Sequence, residues 1–156
     1  MPSKPETRIQ ELHLTLPKPP KPVAKYKPAV LVGNMLYVSG HGPLKADGTT
    51  IEGRVGAPFT TEQGKEAARV VGLAILSTVR NTLGTLDKVK RLVKTLGMVN
   101  CTPEFKQHPH VINGFSELMA EVFGEDNGVG ARSAVGMGSL PGNIPVEVEC
   151  IFEVGG

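Results

Sequence analysis

A chain of 156 residues, 40% of them hydrophobic and with a net charge of +2, has the size and composition of one globular domain with its own core. The small charge excess gives no electrostatic footprint for nucleic acid or acidic membranes, and no apolar run approaches the ~18 residues of a membrane span. The opening MPSKPETRIQ lacks an apolar leader, Glu6 and Glu11 weigh against a transit peptide, and Cys101 and Cys150 read as reduced core thiols of a cytosolic protein, with an organellar address left open.

The first element is a short helix over residues 5–13, capped by Ser3, with Ile9 and Leu12 on one face. LPKPPKPVAKYKP follows, and its prolines fix φ and remove donors, so an extended arm is expected to lie over the domain surface. The chain thus divides into an arm over 1–25 and a folded domain over 26–156. AVLV and MLYVSG flank Gly33-Asn34, a strong hairpin signal. A third short strand or loop is expected around Asp47-Gly48, reaching IEGRVG at 51–56. Thr60 and Gln63 then stand at capping-box spacing, opening a helix that runs to about Leu83 and stops at Gly84. Its apolar positions Ala67, Val71, Ala74, Ile75 and Val79 share one face.

The segment LDKVKRLVKTLGMVNCT is ambiguous. Val89, Leu92, Val93 and Leu96 suit a helix, while 94–101 suits a strand. A turn near Leu86–Val89 and a strand from about Leu92 to Cys101 are expected. HPHVINGFSELMAEVFG reads as a second amphipathic helix. Two closing strands, Ser133–Gly138 and Val146–Val154, complete an order β-β-β-α-β-α-β-β. This is an α+β architecture, a mixed sheet with two helices on one face.

Arg132 poses the chemical question, because it stands directly before a run of small and apolar residues. A buried guanidinium is costly without an anion. That anion is either Glu147 or Glu149 of the adjacent strand, or a ligand. Alternation along PVEVECIFEV puts Val146, Val148, Cys150 and Phe152 on one face, and Glu147, Glu149, Ile151 and Glu153 on the other.

GNMLYVSG at 33–40, Asn113, ARSAVGMGSLP at 131–141 and VEVE at 146–149 form a set over roughly residues 26–154. As a set the chain resembles the reactive intermediate deaminases (Rid, YjgF-type; endoribonuclease L-PSP-like), in a less characterised branch. The resemblance implies a chorismate-mutase-like fold and a homotrimer with ligand clefts between subunits. It implies hydrolysis of small 2-imino acids to 2-keto acids and ammonia. Arg132 would grip the substrate carboxylate, for which its planar fork is suited. Glu147 would handle water and protons.

Tyr26, Ser39, Gly40 and Asn113 match positions that line the family's cleft. Each has a bland alternative: Tyr26 as an anchor for the arm, Ser39-Gly40 as a turn, Asn113 as a loop tether. Where the family often has cysteine, two residues after Arg132, this chain has Ala134, so water chemistry is expected rather than a thiol nucleophile. The resemblance implies neither cofactor nor metal, since an imine carbon is already electrophilic. His41, His108 and His110 lack a credible further ligand set. The basic run KVKRLVK at 88–94 reads as a solvated face. Two competing functions stay in view: a keto-acid binding protein without turnover, and an RNA-binding or endoribonuclease-type protein.

Overall fold

The computed structural model describes residues 3–155. Three helices, α1 (Pro5–Glu11), α2 (Thr61–Leu83) and α3 (His108–Phe123), accompany five strands. The strands are β1 (Ala29–Val32), β2 (Met35–His41), β3 (Val89–Asn100), β4 (Ala131–Met137) and β5 (Val146–Val154). The sheet order is β1-β2-β5-β3-β4. Only β3 and β4 run parallel, and α3 is the crossover between them.

The α+β mixed sheet stands, but with five strands where six were expected. The third is absent as a strand, and only isolated bridges, Leu44–Thr50, Val55–Phe59 and Val55–Cys101, mark the segment. Around it Asp47 Oδ1 accepts from the Thr49 amide at 2.9 Å and its hydroxyl at 2.6 Å, a local turn. KADGTTIEG has no apolar alternation to seat on the core, so the turn chemistry acts without flanking strands. β3 starts at Val89, after a 3-10 turn over Leu86–Lys88, three residues earlier than its apolar pattern suggested. Its register shifts between Val89 and Arg91 and again between Leu92 and Lys94. Those shifts are what made the segment mimic helical spacing.

Ser3 does not cap α1; Lys4 holds the cap position without a side-chain bond. Glu6 anchors the helix instead. Its carboxylate accepts from Arg80 Nη2 at 2.7 Å and from the Leu86 amide at 2.7 Å, while Ile9 enters the core. Beyond α1, Leu12, Leu14 and Leu16 lean on the core, and the Pro17 carbonyl accepts from Ser77 Oγ at 2.6 Å. The chain from Lys21 to Lys27 is exposed.

α2 begins with both halves of its capping box, Thr60 Oγ1 accepting from the Gln63 amide and Gln63 Oε1 from the Thr60 amide. Such a cap contributes about 1 kcal/mol. α2 and α3 approach closely at Gly114, where a Cβ would collide with the Lys65 carbonyl. Both helices cover one face of the sheet with Val71, Ile75, Val111, Phe115 and Leu118 fully buried. On that face lie Leu36, Val38, Val99, Val146, Val148, Cys150 and Phe152. Cys101 and Cys150 are both free and buried, and burial pushes both thiols up.

The opposite sheet face has no cover within the chain. Val30, Val32 and Tyr37 are 44%, 60% and 47% exposed, and Val135 is 37% exposed. Leu96, Met98, Ile151, Glu147 and Glu149 share that face by register. No helix among the described residues is long and apolar enough to cross a membrane.

Candidate functional site

Arg132 lies inside β4 rather than ahead of it, on the edge strand, directly opposite Thr95 of β3. Thr95 is buried beneath the helices, and paired residues point to the same side of a sheet. The Arg132 side chain therefore enters the helix layer at the sheet's edge. Nη1 donates to Asn113 Oδ1 at 2.8 Å and to Ser116 Oγ at 3.1 Å. Nη2 donates a longer bond of 3.4 Å to the Pro109 carbonyl. Asn113 and Ser116 are neighbours on α3 because residues three apart share a helix face.

All three partners are neutral. Among the described residues no carboxylate lies within ion-pair distance of Arg132, and neither Glu147 nor Glu149 reaches it. With Nη1 bonded twice to α3 and Nη2 held only by the 3.4 Å contact, Nε bonds to no group among the described residues. Nε and Nη2 form the side edge of a guanidinium, the geometry a carboxylate accepts bidentately. Ser116 was not singled out in the sequence. Its signal was its position one turn from Asn113.

Glu147 is placed on the other side of the sheet. It pairs with Met98 of β3, three residues from Thr95 with no register shift between them. Three steps along a strand reverse the face. Gly40 meets Glu147 there: a Cβ on Gly40 would overlap Glu147 Oε2. The lack of a side chain at 40 is what lets the carboxylate lie against the β2 backbone. Burial, reinforced by the charge of Glu149, pushes the Glu147 carboxyl above the usual range. Gly40→Ala is expected to leave the fold intact, because the atoms it displaces are the end of a flexible side chain. It should move the carboxylate and bring its titration back toward the ordinary range, read by carboxyl-carbon NMR.

Ser39 and Gly40 occupy a β-bulge, where two residues of β2 between Val38 and His41 stand against one residue of β5, Glu149. Ser39 Oγ donates to the Lys27 carbonyl at 2.5 Å, and its amide donates to the Pro28 carbonyl at 2.9 Å. Those bonds fasten the loop that carries Tyr26, whose side chain is 46% exposed. The structure thus forms two groups. Arg132, Asn113 and Ser116 sit at the helix layer's edge, and Ser39, Gly40 and Glu147 sit at the bulge.

His41, His108 and His110 go to three separate places. His41 is buried against Thr78, His108 Nε2 lies 3.4 Å from Cys101 Sγ, and His110 Nε2 lies 2.6 Å from Glu62 Oε1. An open groove of about 890 Å3 between α1 and the end of α3 is lined by Ser116, Arg8 and Phe123, but not by Arg132.

Residues 6–151 match the family model described as "YjgF/chorismate mutase-like, putative endoribonuclease". The chain belongs to the YjgF family. Within this YjgF family, Protein TCP17 of Trypanosoma cruzi is 40% identical over 146 residues, covering 94% of this chain and 91% of that protein. The crystal structure of Atu1372 from Agrobacterium tumefaciens, a protein of unknown function, is 41% identical with a TM-score of 0.86, covering 96% of this chain and 91% of that one. A Shewanella oneidensis structure carrying the same endoribonuclease description superposes with a TM-score of 0.92 at 28% identity, over 97% of this chain and 100% of the other. The YjgF fold is therefore shared along 96–97% of the chain.

Proposed function

We propose that this YjgF-family protein hydrolyses small 2-imino acids to 2-keto acids and ammonia in the cytosol, within clefts shared by neighbouring copies of a homotrimer. The observation that carries this reading is the guanidinium of Arg132, held in place by neutral groups with no carboxylate paired to it among the described residues. A small α-carboxylate matches its side edge in charge and geometry.

Glu147 supplies the second function. Its raised carboxyl exchanges protons closer to neutral pH than an ordinary glutamate does, as a general acid-base group requires. With the carboxylate of the imine fixed by Arg132, Glu147 takes a proton from water as the water oxygen bonds to the imine carbon. The C=N electron pair moves to nitrogen, which takes that proton from Glu147. Glu147 then relays the carbinolamine hydroxyl proton to the nitrogen, which leaves as ammonia as the C=O bond forms. One water is consumed and no redox equivalent is needed.

Arg132 and Glu147 occupy opposite faces of one chain, so one chain does not present both to one small ligand. Two copies meeting through the open sheet face supply the remedy: the Arg132 edge of one faces the bulge of the next. Tyr26, on the loop fastened to Ser39, would cover the substrate in that arrangement.

The test generates a panel of imino acids in situ and measures ammonia release. Acceleration by the wild type, lost at least tenfold in Glu147→Gln with keto-acid binding retained, is the expected result. Binding without turnover in the wild type would leave a metabolite sensor. The family's endoribonuclease description makes RNA cleavage the other competitor, which an RNA substrate run in parallel decides. Glu147→Gln should also remove a stability penalty. A carboxyl whose folded-state pKa is raised loses stability as pH rises from the unfolded toward the folded value. The variant's melting temperature should therefore exceed the wild type's above that window and match it below.

A further inference from the structure

We infer that His41 is a positioning residue for Glu147, acting through the β-bulge at Ser39-Gly40. This rests on the assignment of Glu147 to the site, but not on the reaction proposed for it. Nothing in the sequence pattern pointed to this role, since His41 read only as an isolated histidine after a hairpin.

His41 ends β2 with 6% of its surface exposed. Its two ring nitrogens are both committed, and their partners fix the tautomer. The Ser39 carbonyl 2.6 Å from Nδ1 is an acceptor only, so Nδ1 carries the proton. Nε2 is left as the acceptor for the Thr78 hydroxyl, 2.7 Å away on α2. Burial lowers the imidazole's affinity for a second proton, although the bond to Ser39 opposes this.

The geometry makes the ring a strut between a helix and a bulge. An extra residue in a strand leaves a backbone carbonyl without a ladder partner, and such a group is costly to bury unpaired. His41 satisfies the Ser39 carbonyl from two residues downstream and ties it to α2. This holds the Ser39-Gly40 peptide in one orientation, with the Cα of Gly40 turned to the Glu147 carboxylate. The same Ser39 reaches Lys27 and Pro28 on its other side. One imidazole therefore sets the bulge on which both the carboxylate and the Tyr26 loop depend.

Three full-length variants test this. His41→Phe keeps ring volume and removes both bonds. His41→Asn keeps a side-chain N–H close to where Nδ1 donates, and Thr78→Val removes only the helix end of the strut. Carboxyl-carbon NMR of Glu147 is the primary readout, because it does not depend on any activity. In His41→Phe the Glu147 midpoint is expected to move toward that of an ordinary glutamate, with His41→Asn restoring most of the wild-type value. If imine turnover is present, His41→Phe should lower kcat about tenfold and leave KM within about twofold, since Arg132 sits on β4, separated from β2 by two strands of the sheet. A Glu147 midpoint unchanged in His41→Phe overturns the inference even where turnover falls. Should His41→Phe fail to fold, Thr78→Val carries the test, and an unmoved Glu147 midpoint in it has the same force. A wild type without turnover refutes the hydrolase reading and leaves the NMR comparison decisive for His41.

Discussion

Arg132→Lys is expected to weaken binding of small 2-keto acids by about a hundredfold, measured by titration calorimetry. Charge is conserved in this variant, so the loss isolates geometry. Lysine offers a compact ammonium with rotating donors in place of a rigid fork. It also lacks the atoms that let Nη1 bond to Asn113 and Ser116 while a separate edge remains for the ligand. Removing a bidentate charge-assisted contact costs about 1.5–3 kcal/mol, or about tenfold to more than a hundredfold in affinity. Ser116→Ala makes a graded companion: it removes one neutral brace and should cost less than Arg132→Lys. An unchanged affinity in Arg132→Lys would make the arginine a structural brace for α3 and nothing more.

Tyr37→Glu is expected to dissociate the proposed trimer and abolish ligand binding together with turnover. Tyr37 lies on the open sheet face beside Val30 and Ile151, and is 47% exposed in the single chain. A glutamate there is solvated in the free chain, so the fold should survive, with circular dichroism and melting temperature close to wild type. In a closed oligomer the same glutamate is buried without a partner in every copy, costing several kcal/mol each. Light scattering across a dilution series, run beside the keto-acid titration, reads both effects on one sample. A monomeric variant that still binds and turns over would sink the shared cleft.

How far the sequence spoke for itself differs by element, for physical reasons. α2 was legible because its cap, its apolar stripe and its stop at Gly84 are all local signals. β5 was legible because strict alternation survives wherever one face is buried, and Glu147 fell on the face that alternation gave it. The stretch at 44–50 misled because turn chemistry is as strong in a polar loop as in a hairpin. β3 misled because two register shifts break its period.

The site divides in the same way. Arg132, Asn113 and Glu147 were picked out from their motifs. Their separation onto two faces was not visible, since it depends on the parallel register of β3 with β4. Nor was the meeting of Gly40 with Glu147, which depends on one extra residue in β2 against a strand more than a hundred residues away. Ser116 and His41 act through contacts of the same long-range kind.

The place of β5 in the sheet has a consequence for how the chain is made. β2 and β3 never touch as neighbours; each pairs with β5, the last strand in chain order. While the nascent chain is still emerging from the ribosome, the hairpin and the β3-β4 pair are two fragments with no seam between them. α2 and α3 meanwhile have only part of the floor they are built to cover. The nine residues from Val146 to Val154 close that seam in one stroke. Until they clear the exit tunnel, unpaired edges and apolar helix faces are exposed together. That is the interval in which a holding chaperone would matter most to this fold, and a stalled or prematurely terminated copy would remain in it.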